Sequence, residues 1–250
     1  MAGAAVRGRL SWLVAKVAEI VDENPTVRSI VLDCPGWSGH LAGQHIDIRL
    51  TAEDGYQAQR SYSISTPGDG ERLTITVEIV DDGEVSPFLV EDLLVGDRIE
   101  IRGPIGGYFV WIETLANPLL LVGGGSGVAP LMAMLRTRMQ SESGVPVHYL
   151  ASARTVDRLI YYEELVRIAE SDEDVEVVHT LTRSHPDDWK GLTRRVDRDM
   201  LTVPGFSPAE IPDVYVCGPT GFVEHVAATL VDVGHEPGRL RTERFGPSGG

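Results

Sequence analysis

Cysteine is nearly absent: the 250-residue chain has two, Cys34 and Cys217, far apart in sequence. Two thiols exclude a disulfide framework, and they exclude any four-cysteine iron–sulfur or zinc site made by this chain alone. Cations are scarce as well. With 22 Lys and Arg against 37 Asp and Glu, the net charge of −15 argues against a general nucleic-acid surface, which needs clustered positive charge. Any anionic ligand must then be met by local arginines. Uninterrupted apolar runs are missing too: in the opening stretch MAGAAVRGRLSWLVAKVAEIV, Arg7, Arg9, Lys16 and Glu19 break the pattern before it reaches spanning length. The stretch reads as a flexible start followed by a strand. The expectation is a cytoplasmic protein that enters no membrane, in keeping with free cysteines.

What is present fits two domains. With 42% hydrophobic and 24% charged residues, 250 positions hold enough apolar material for two globular cores. From Trp12 to about Trp111, the runs WLVAKVAEIV, VRSIVLDC, QHIDIRL, RSYSIS, LTITVEIV and DRIEIRGPIG are set apart by turn residues such as Asn24-Pro25, Pro35-Gly36 and Glu53-Asp54-Gly55. Six strands without a long helix predict a closed antiparallel β-barrel. One helical segment is expected at 86–94, SPFLVEDLL, with Ser86 as N-cap and Pro87 at the first helical position. It is either a plainly capped helix or, through its free N–H groups, an anion site. His45 and Asp47, two apart on one strand face, have no third ligand at suitable spacing and are expected in the barrel wall rather than on a metal.

Near Leu115 to Pro118 the pattern changes. NPLLLVG is a continuous apolar run, as expected for a parallel strand covered on both faces, and it leads through a glycine loop into APLMAMLRTRMQ. Strand and helix patterns then alternate: VPVHYLAS, YYEELVRIAE, VEVVHTLT, DVYVCG and FVEHVAATLVD. This predicts a doubly wound parallel sheet. The expected domains are 11–113 and 114–250.

Two segments carry the chemistry. Arg60-Ser61-Tyr62-Ser63 places an arginine, a flat aromatic and hydroxyls on one strand, a set suited to an anionic ligand with a planar ring; Arg60, Tyr62 and a hydroxyl are read as alternate strand positions. Gly123-Gly124-Gly125-Ser126-Gly127-Val128-Ala129-Pro130 is either a simple tight turn between strand and helix or a loop suited to a phosphate ligand at a helix start. It departs from the dinucleotide fingerprint, because Pro130 stands where a third glycine or alanine belongs and HYLAS ends without the acidic residue that holds a ribose hydroxyl. Arg154 stands there, and Arg183 follows HTLT with Lys190, Arg194 and Arg195 nearby. Arg154 and Arg183 are either surface ion-pair partners or a grip for a 2′-phosphate.

The order of these segments, followed by Cys217-Gly218-Pro219 and Glu243-Arg244-Phe245, resembles the ferredoxin-NADP reductase superfamily, over Trp12 to Phe245 and most of all its stand-alone or oxygenase-associated flavin reductases. The resemblance implies that FAD lies in the barrel: Arg60 with Gly83, Val85 and Ser86 on the pyrophosphate, Tyr62 against the isoalloxazine, Ser61 in the same strand, Ser63 near N5, and the backbone of Val77 and Ile79 along the tail. It implies a nicotinamide nucleotide on Gly125, Ser126, Gly127 and Pro130, with Cys217, Gly218 and Pro219 lining the nicotinamide pocket and Phe222 facing the nucleotide. It gives Ser63, Cys217, Glu243 and Phe245 catalytic roles: Phe245 covers the flavin, and Glu243 helps to place nicotinamide or relay a proton. The expectation is a monomeric reductase using FAD and NADPH, with NADH possible, and no metal. Lacking cluster ligands, and with no ferredoxin-like domain expected after the GPSGG tail, it would pass electrons to a separate ferredoxin or oxygenase component. Free flavin, a ferric chelate or a quinone as acceptor, or a flavin-binding sensor, are the alternatives.

Overall fold

The computed structural model describes residues 10–68, 70–80 and 82–245; the extreme N-terminus and the GPSGG tail lie outside the described residues. The first half forms β1 (Leu13–Asn24), β2 (Val27–Asp33), β3 (His45–Thr51), β4 (Gln57–Ser63), β5 (Arg72–Glu78) and β6 (Arg98–Ile105), one antiparallel sheet in the order β4-β3-β6-β1-β2-β5. Alternation explains which face points inward. Leu73, Ile75 and Val77 of β5 join Ile30 and Leu32 of β2 and Ile46 and Ile48 of β3 in the barrel core. The intervening Thr74 and Thr76 are also buried. Their face of β5 meets the other domain, where Tyr161 and Thr76 share a hydroxyl–hydroxyl hydrogen bond. The barrel closes narrowly. Its terminal strands β4 and β5 meet at the Ile64–Ile75 bridge, with Ser65 N donating to Thr74 O at 2.8 Å.

The expected helix at 86–94 is present over 86–92: Ser86 and Pro87 form its first turn and run into a wider π-type turn, Phe88–Asp92, without a side-chain cap. Ser86 Oγ instead accepts from Val80 N at 3.0 Å, closing the loop that enters the turn. Ser86 lies inside the first turn, where Leu89 N donates to Val85 O at 3.1 Å, so it is not the cap, and so short a helix leaves little aligned dipole to hold an anion.

The second half alternates strictly: β7 (Leu119–Gly124), α1 (Val128–Gln140), β8 (Val147–Ala153), α2 (Tyr162–Ser171), β9 (Val175–Leu181), the short α3 (Arg198–Leu201), β10 (Asp213–Pro219), α4 (Thr220–Asp232) and β11 (Leu240–Phe245). The strands are parallel in the order β11-β10-β7-β8-β9. All six residues of β7 are buried, as a continuous apolar run requires. α1 and α2 cover one face and α3 and α4 the other. The chain leaves β7 for β8 and β9, then returns to β10 on the other side. The topological switch therefore lies between the carboxyl ends of β7 and β10, where doubly wound sheets bind ligands.

The two halves share a core. Phe109 and Trp111, in the connection after β6, are buried with Val27 and Ala42 of the barrel among the side chains of α1 and Tyr215. Burying each ring is worth roughly 2–3 kcal/mol. Arg136 Nη1 donates to Ser65 O at 2.7 Å, Arg158 Nη1 to Thr26 Oγ1 at 2.6 Å and Tyr215 OH to Val110 O at 2.7 Å. Among the described residues no helix is long and apolar enough to cross a membrane.

Candidate functional site

The site begins at the incomplete seam of the barrel. Continuing the register of the Ile64–Ile75 bridge would set Tyr62 against Val77 and Arg60 against Ile79, but no ladder forms there. Ile79 N instead donates to Thr26 O at 2.9 Å, which draws the end of β5 toward β2. Two strand edges are thus left facing a gap, with backbone groups unpaired within the sheet.

Arg60 and Tyr62 share one face of β4, which alternates as strands do. Tyr62 packs on the barrel core, and burial pushes its hydroxyl well above the usual tyrosine range. Arg60 Nη1 donates to Gln59 O at 2.7 Å, and Nη2 lies 3.3 Å from Glu84 Oε2. Tyr56 OH donates to the other Glu84 oxygen at 2.6 Å. Glu84 belongs to Gly83-Glu84-Val85-Ser86, so arginine and loop do come together, as the family pattern implies. Gly83 is required there: an added Cβ would stand 2.9 Å from Val80 O. Val77 and Val85 are buried in the barrel core, which leaves only their backbones to face a ligand.

The reading of alternate positions needs correction for the hydroxyls. Ser61 and Ser63 have the opposite parity to Arg60 and Tyr62, and Ser61 Oγ donates to Asp47 Oδ1 at 2.7 Å on the other side of β4. Asp47 Oδ2 also holds Arg102 Nη2 at 2.6 Å. Asp47 is therefore a barrel-wall residue. Among the described residues no group of three or more His, Cys, Asp or Glu is arranged to hold a metal.

A cleft of about 940 Å³ runs between the domains. Thr26, Glu78 and Ile79 of the barrel line one side; Gly124, Gly125, Arg154, Arg183, Pro219 and Phe222 line the other. The glycines follow from close approach. A Cβ on Gly127 would stand 2.2 Å from Cys217 O, and one on Gly124 would stand 2.9 Å from the Phe222 ring, so α1 and α4 reach the strand ends only without side chains there. Gly125 has φ +57°, which favours glycine again. Pro130 is buried in the first turn of α1. Arg183 N donates to Arg154 O at 2.9 Å, tying the ends of β8 and β9. Arg158 and Arg195 line the same cleft.

Cys217 is fully buried, packed with Tyr215 and near Phe245, so its thiol lies beneath the mouth rather than on the open cleft wall. Burial, and next the neighbouring Glu243, push that thiol well above its ordinary pKa. Glu243 stands beside Cys217 across the β10–β11 ladder, and Phe245 beside Pro219. Burial raises the Glu243 carboxyl to about 7, and among the described residues its Oε2 has no hydrogen-bond partner.

Residues 15–110 match the oxidoreductase FAD-binding domain and residues 121–228 the oxidoreductase NAD-binding domain. The chain belongs to the ferredoxin-NADP reductase superfamily. It is 31% identical over 238 residues to the glycine betaine monooxygenase reductase subunit of Chromohalobacter salexigens, covering 92% of this chain and 63% of that protein. It spans a similar share, 59%, of the Deinococcus radiodurans flavohemoprotein, with 28% identity over 93% of this chain. Less than two thirds of those relatives is therefore represented. The FAD/NAD-binding domain of Vibrio cholerae nitric oxide dioxygenase superposes with a TM-score of 0.81 at 28% identity, over 94% of this chain and 99% of that one. The Amycolatopsis cytochrome P450 reductase gives 0.82 at 27%, over 98% of this chain and 74% of that one.

The cofactors of this superfamily member are FAD and a nicotinamide nucleotide. The residues fit them: the unclosed seam and the Gly83 cradle suit a flavin with its pyrophosphate, and the glycine-lined strand ends suit a dinucleotide. The sequence passed over Glu78 and Arg158, which bear on the cleft. Nothing in LTITVE or TVDR marks them, because their relevance comes from how the domains dock.

Proposed function

We propose that the chain is an NAD(P)H-dependent flavoprotein reductase that uses NADPH and passes electrons to a separate acceptor, such as a ferredoxin or an oxygenase component. The observation that carries this is a single cleft shared by the end of β5 and the glycine loop: Glu78 and Ile79 face Gly124, Gly125, Arg154 and Arg183. The flavin-bearing seam and the nucleotide-bearing switch point thereby open on one space. When bound, nicotinamide supplies a hydride and FAD accepts it and releases electrons singly.

The chain's residues supply placement and charge. Arg60 exchanges Glu84 for the flavin pyrophosphate, supported by loop amides around Gly83 to Ser86. Tyr62 offers a ring on the barrel side and Ser63 a hydroxyl at the strand end, while Phe245 shields the site from the other side. The glycine loop lets backbone amides approach the dinucleotide phosphates, and Phe222 bounds the nucleotide. Arg154 and Arg183 take the 2′-phosphate by charge-assisted hydrogen bonds. Cys217 shapes the floor on which nicotinamide rests, and Glu243, with its carboxyl near 7, holds or gives a proton beside it.

The test is anaerobic titration of the flavin-loaded protein with NADPH and with NADH, followed by a panel of acceptors. Bleaching by NADPH and fast turnover with a protein acceptor are the expected results. Turnover with free flavin, a ferric chelate or a quinone at equal rate would defeat the acceptor assignment, and no bleaching would defeat the enzyme.

A further inference from the structure

The cleft holds an anion of its own. Glu78, the last residue of β5, accepts from Ser126 N with its Oε2 at 3.3 Å, and the same oxygen stands 3.7 Å from where a Gly125 Cβ would be. Four arginines line this cleft, Arg154, Arg158, Arg183 and Arg195, yet among the described residues Glu78 makes no ion pair with any of them. The carboxylate is directed to the loop amide instead. That amide lies at the entry to the 13-residue helix α1, where free N–H groups and the helix dipole favour negative charge. A barrel side chain therefore stands at the place a dinucleotide phosphate must approach.

We propose that Glu78 is a resident competitor for the nucleotide: it occupies the Ser126 amide in the free protein and must leave when the pyrophosphate binds, so a residue of the flavin domain sets nucleotide affinity. The proposal rests on the reading that a dinucleotide binds across the glycine loop. Two anions cannot share one amide, and their like charges oppose each other in a cleft partly shielded from water. Glu78 is one of several contacts between the domains. The hydrogen bonds of Arg136 to Ser65 O and of Arg158 to Thr26, at 2.7 and 2.6 Å, are shorter and lie elsewhere in the interface. Because Glu78 sits between Val77 and Ile79 on the open barrel seam, the competition also links nucleotide occupancy to the strand that borders the flavin.

The experiment compares FAD-loaded wild-type protein with Glu78→Gln and Glu78→Ala by isothermal titration calorimetry with NADP+ and with NAD+. Gln keeps an acceptor for Ser126 N but loses the charge. Both variants are expected to bind both nucleotides more tightly, by about three- to tenfold, with the gap from wild type narrowing at high salt. FAD content should not change. Affinities that are measurable but equal to wild type, or weaker, would overturn the role of Glu78, and so would tightening in the Ala variant alone, which would point to bulk rather than charge. Binding of neither nucleotide by any of the three proteins would defeat the dinucleotide reading itself, and the competition with it.

Discussion

In the barrel the polar side chains of the site are engaged with one another, whereas in the α/β domain several stand open. Arg60 is joined to Glu84, which also receives the Tyr56 hydroxyl, and Ser61 is committed to Asp47. Across the cleft, Arg154, Arg183 and Arg195 make no ion pair among the described residues, and Glu243 Oε2 has no partner. The difference bears on how each ligand binds. On the proposed placement of the pyrophosphate, a flavin replaces an existing partner of Arg60, which costs little because both side chains are about half-exposed, at 54% and 49%. On the same reading a nucleotide finds cations that have no ion-pair partner among the described residues, but a carboxylate on the loop amide. Exchange on one side and displacement on the other suit a tightly kept flavin and a nucleotide that comes and goes.

The strongest way to break the comparison is to remove the exchanged cation. If Arg60 takes the pyrophosphate as proposed, Arg60→Ala deletes a charge-assisted contact worth about 1.5–3 kcal/mol, so flavin affinity should fall by roughly tenfold to a hundredfold. The apoprotein's thermal midpoint should stay nearly unchanged. The flavin-to-protein ratio after gel filtration, together with a titration of apoprotein with FAD, measures this; full retention would remove Arg60 from the site.

The next effect concerns the unpaired acid. The Glu243 carboxyl is raised from 4.5 to about 7, so the folded protein holds this proton more tightly than the unfolded chain does. Its contribution to stability is fully present below about pH 4.5 and is lost as pH rises through about 7. Allowing for its partial exposure, wild type should lose on the order of 2 kcal/mol between pH 5 and pH 8 relative to Glu243→Gln. Urea midpoints of both proteins at the two pH values test this, and parallel pH profiles would show that burial does not hold the proton there.

These particulars also show what the sequence makes legible. Strands such as LTITVEIV announce themselves because their apolar residues alternate, and the run NPLLLVG does so because a doubly covered strand has no polar face. Arg60 with Tyr62 reads alone as an ordinary strand and the glycine loop alone as a turn; they stand out only through their order with Cys217-Gly218-Pro219 and Glu243-Arg244-Phe245. Ser86 reads as a cap because Ser-Pro before an apolar stretch is a helix-start pattern, while its hydroxyl is taken by Val80 N, a contact inside a loop that periodicity does not describe. Glu78 is invisible for another reason. Its partner is 48 residues away in the other domain, and no local pattern encodes a docking angle. Phe109 and Trp111 likewise read as the end of the barrel, yet they fill the core of its neighbour.

On the open side, replacing both Arg154 and Arg183 by alanine should raise the KM for NADPH by about tenfold while leaving NADH nearly untouched, since only NADPH carries a 2′-phosphate. Steady-state kinetics with the two nucleotides decides this. Equal losses would place the arginines on the shared part of the dinucleotide, and a wild-type preference for NADH would remove the phosphate role altogether.

The smallest effect sharpens the comparison most directly. If the barrel grip works by exchange, Glu84 is only a holding partner for Arg60, and the pair itself contributes little: exposed ion pairs are typically worth about 0–1 kcal/mol because water and salt screen them and side-chain entropy opposes them. Glu84→Gln keeps the hydrogen-bond acceptor for the Tyr56 hydroxyl but removes the charge that competes with a pyrophosphate for Arg60. The urea midpoint should shift by less than about 1 kcal/mol in equivalent stability, and FAD affinity should rise by no more than about threefold, with the rise vanishing when Arg60 is already alanine. A double-mutant cycle on apoprotein titrated with FAD provides the readout. Weaker flavin binding in Glu84→Gln would mean that the carboxylate orients Arg60 for the ligand instead of merely occupying it, and the two halves of the cleft would then differ in the number of polar partners but not in the way they receive a phosphate.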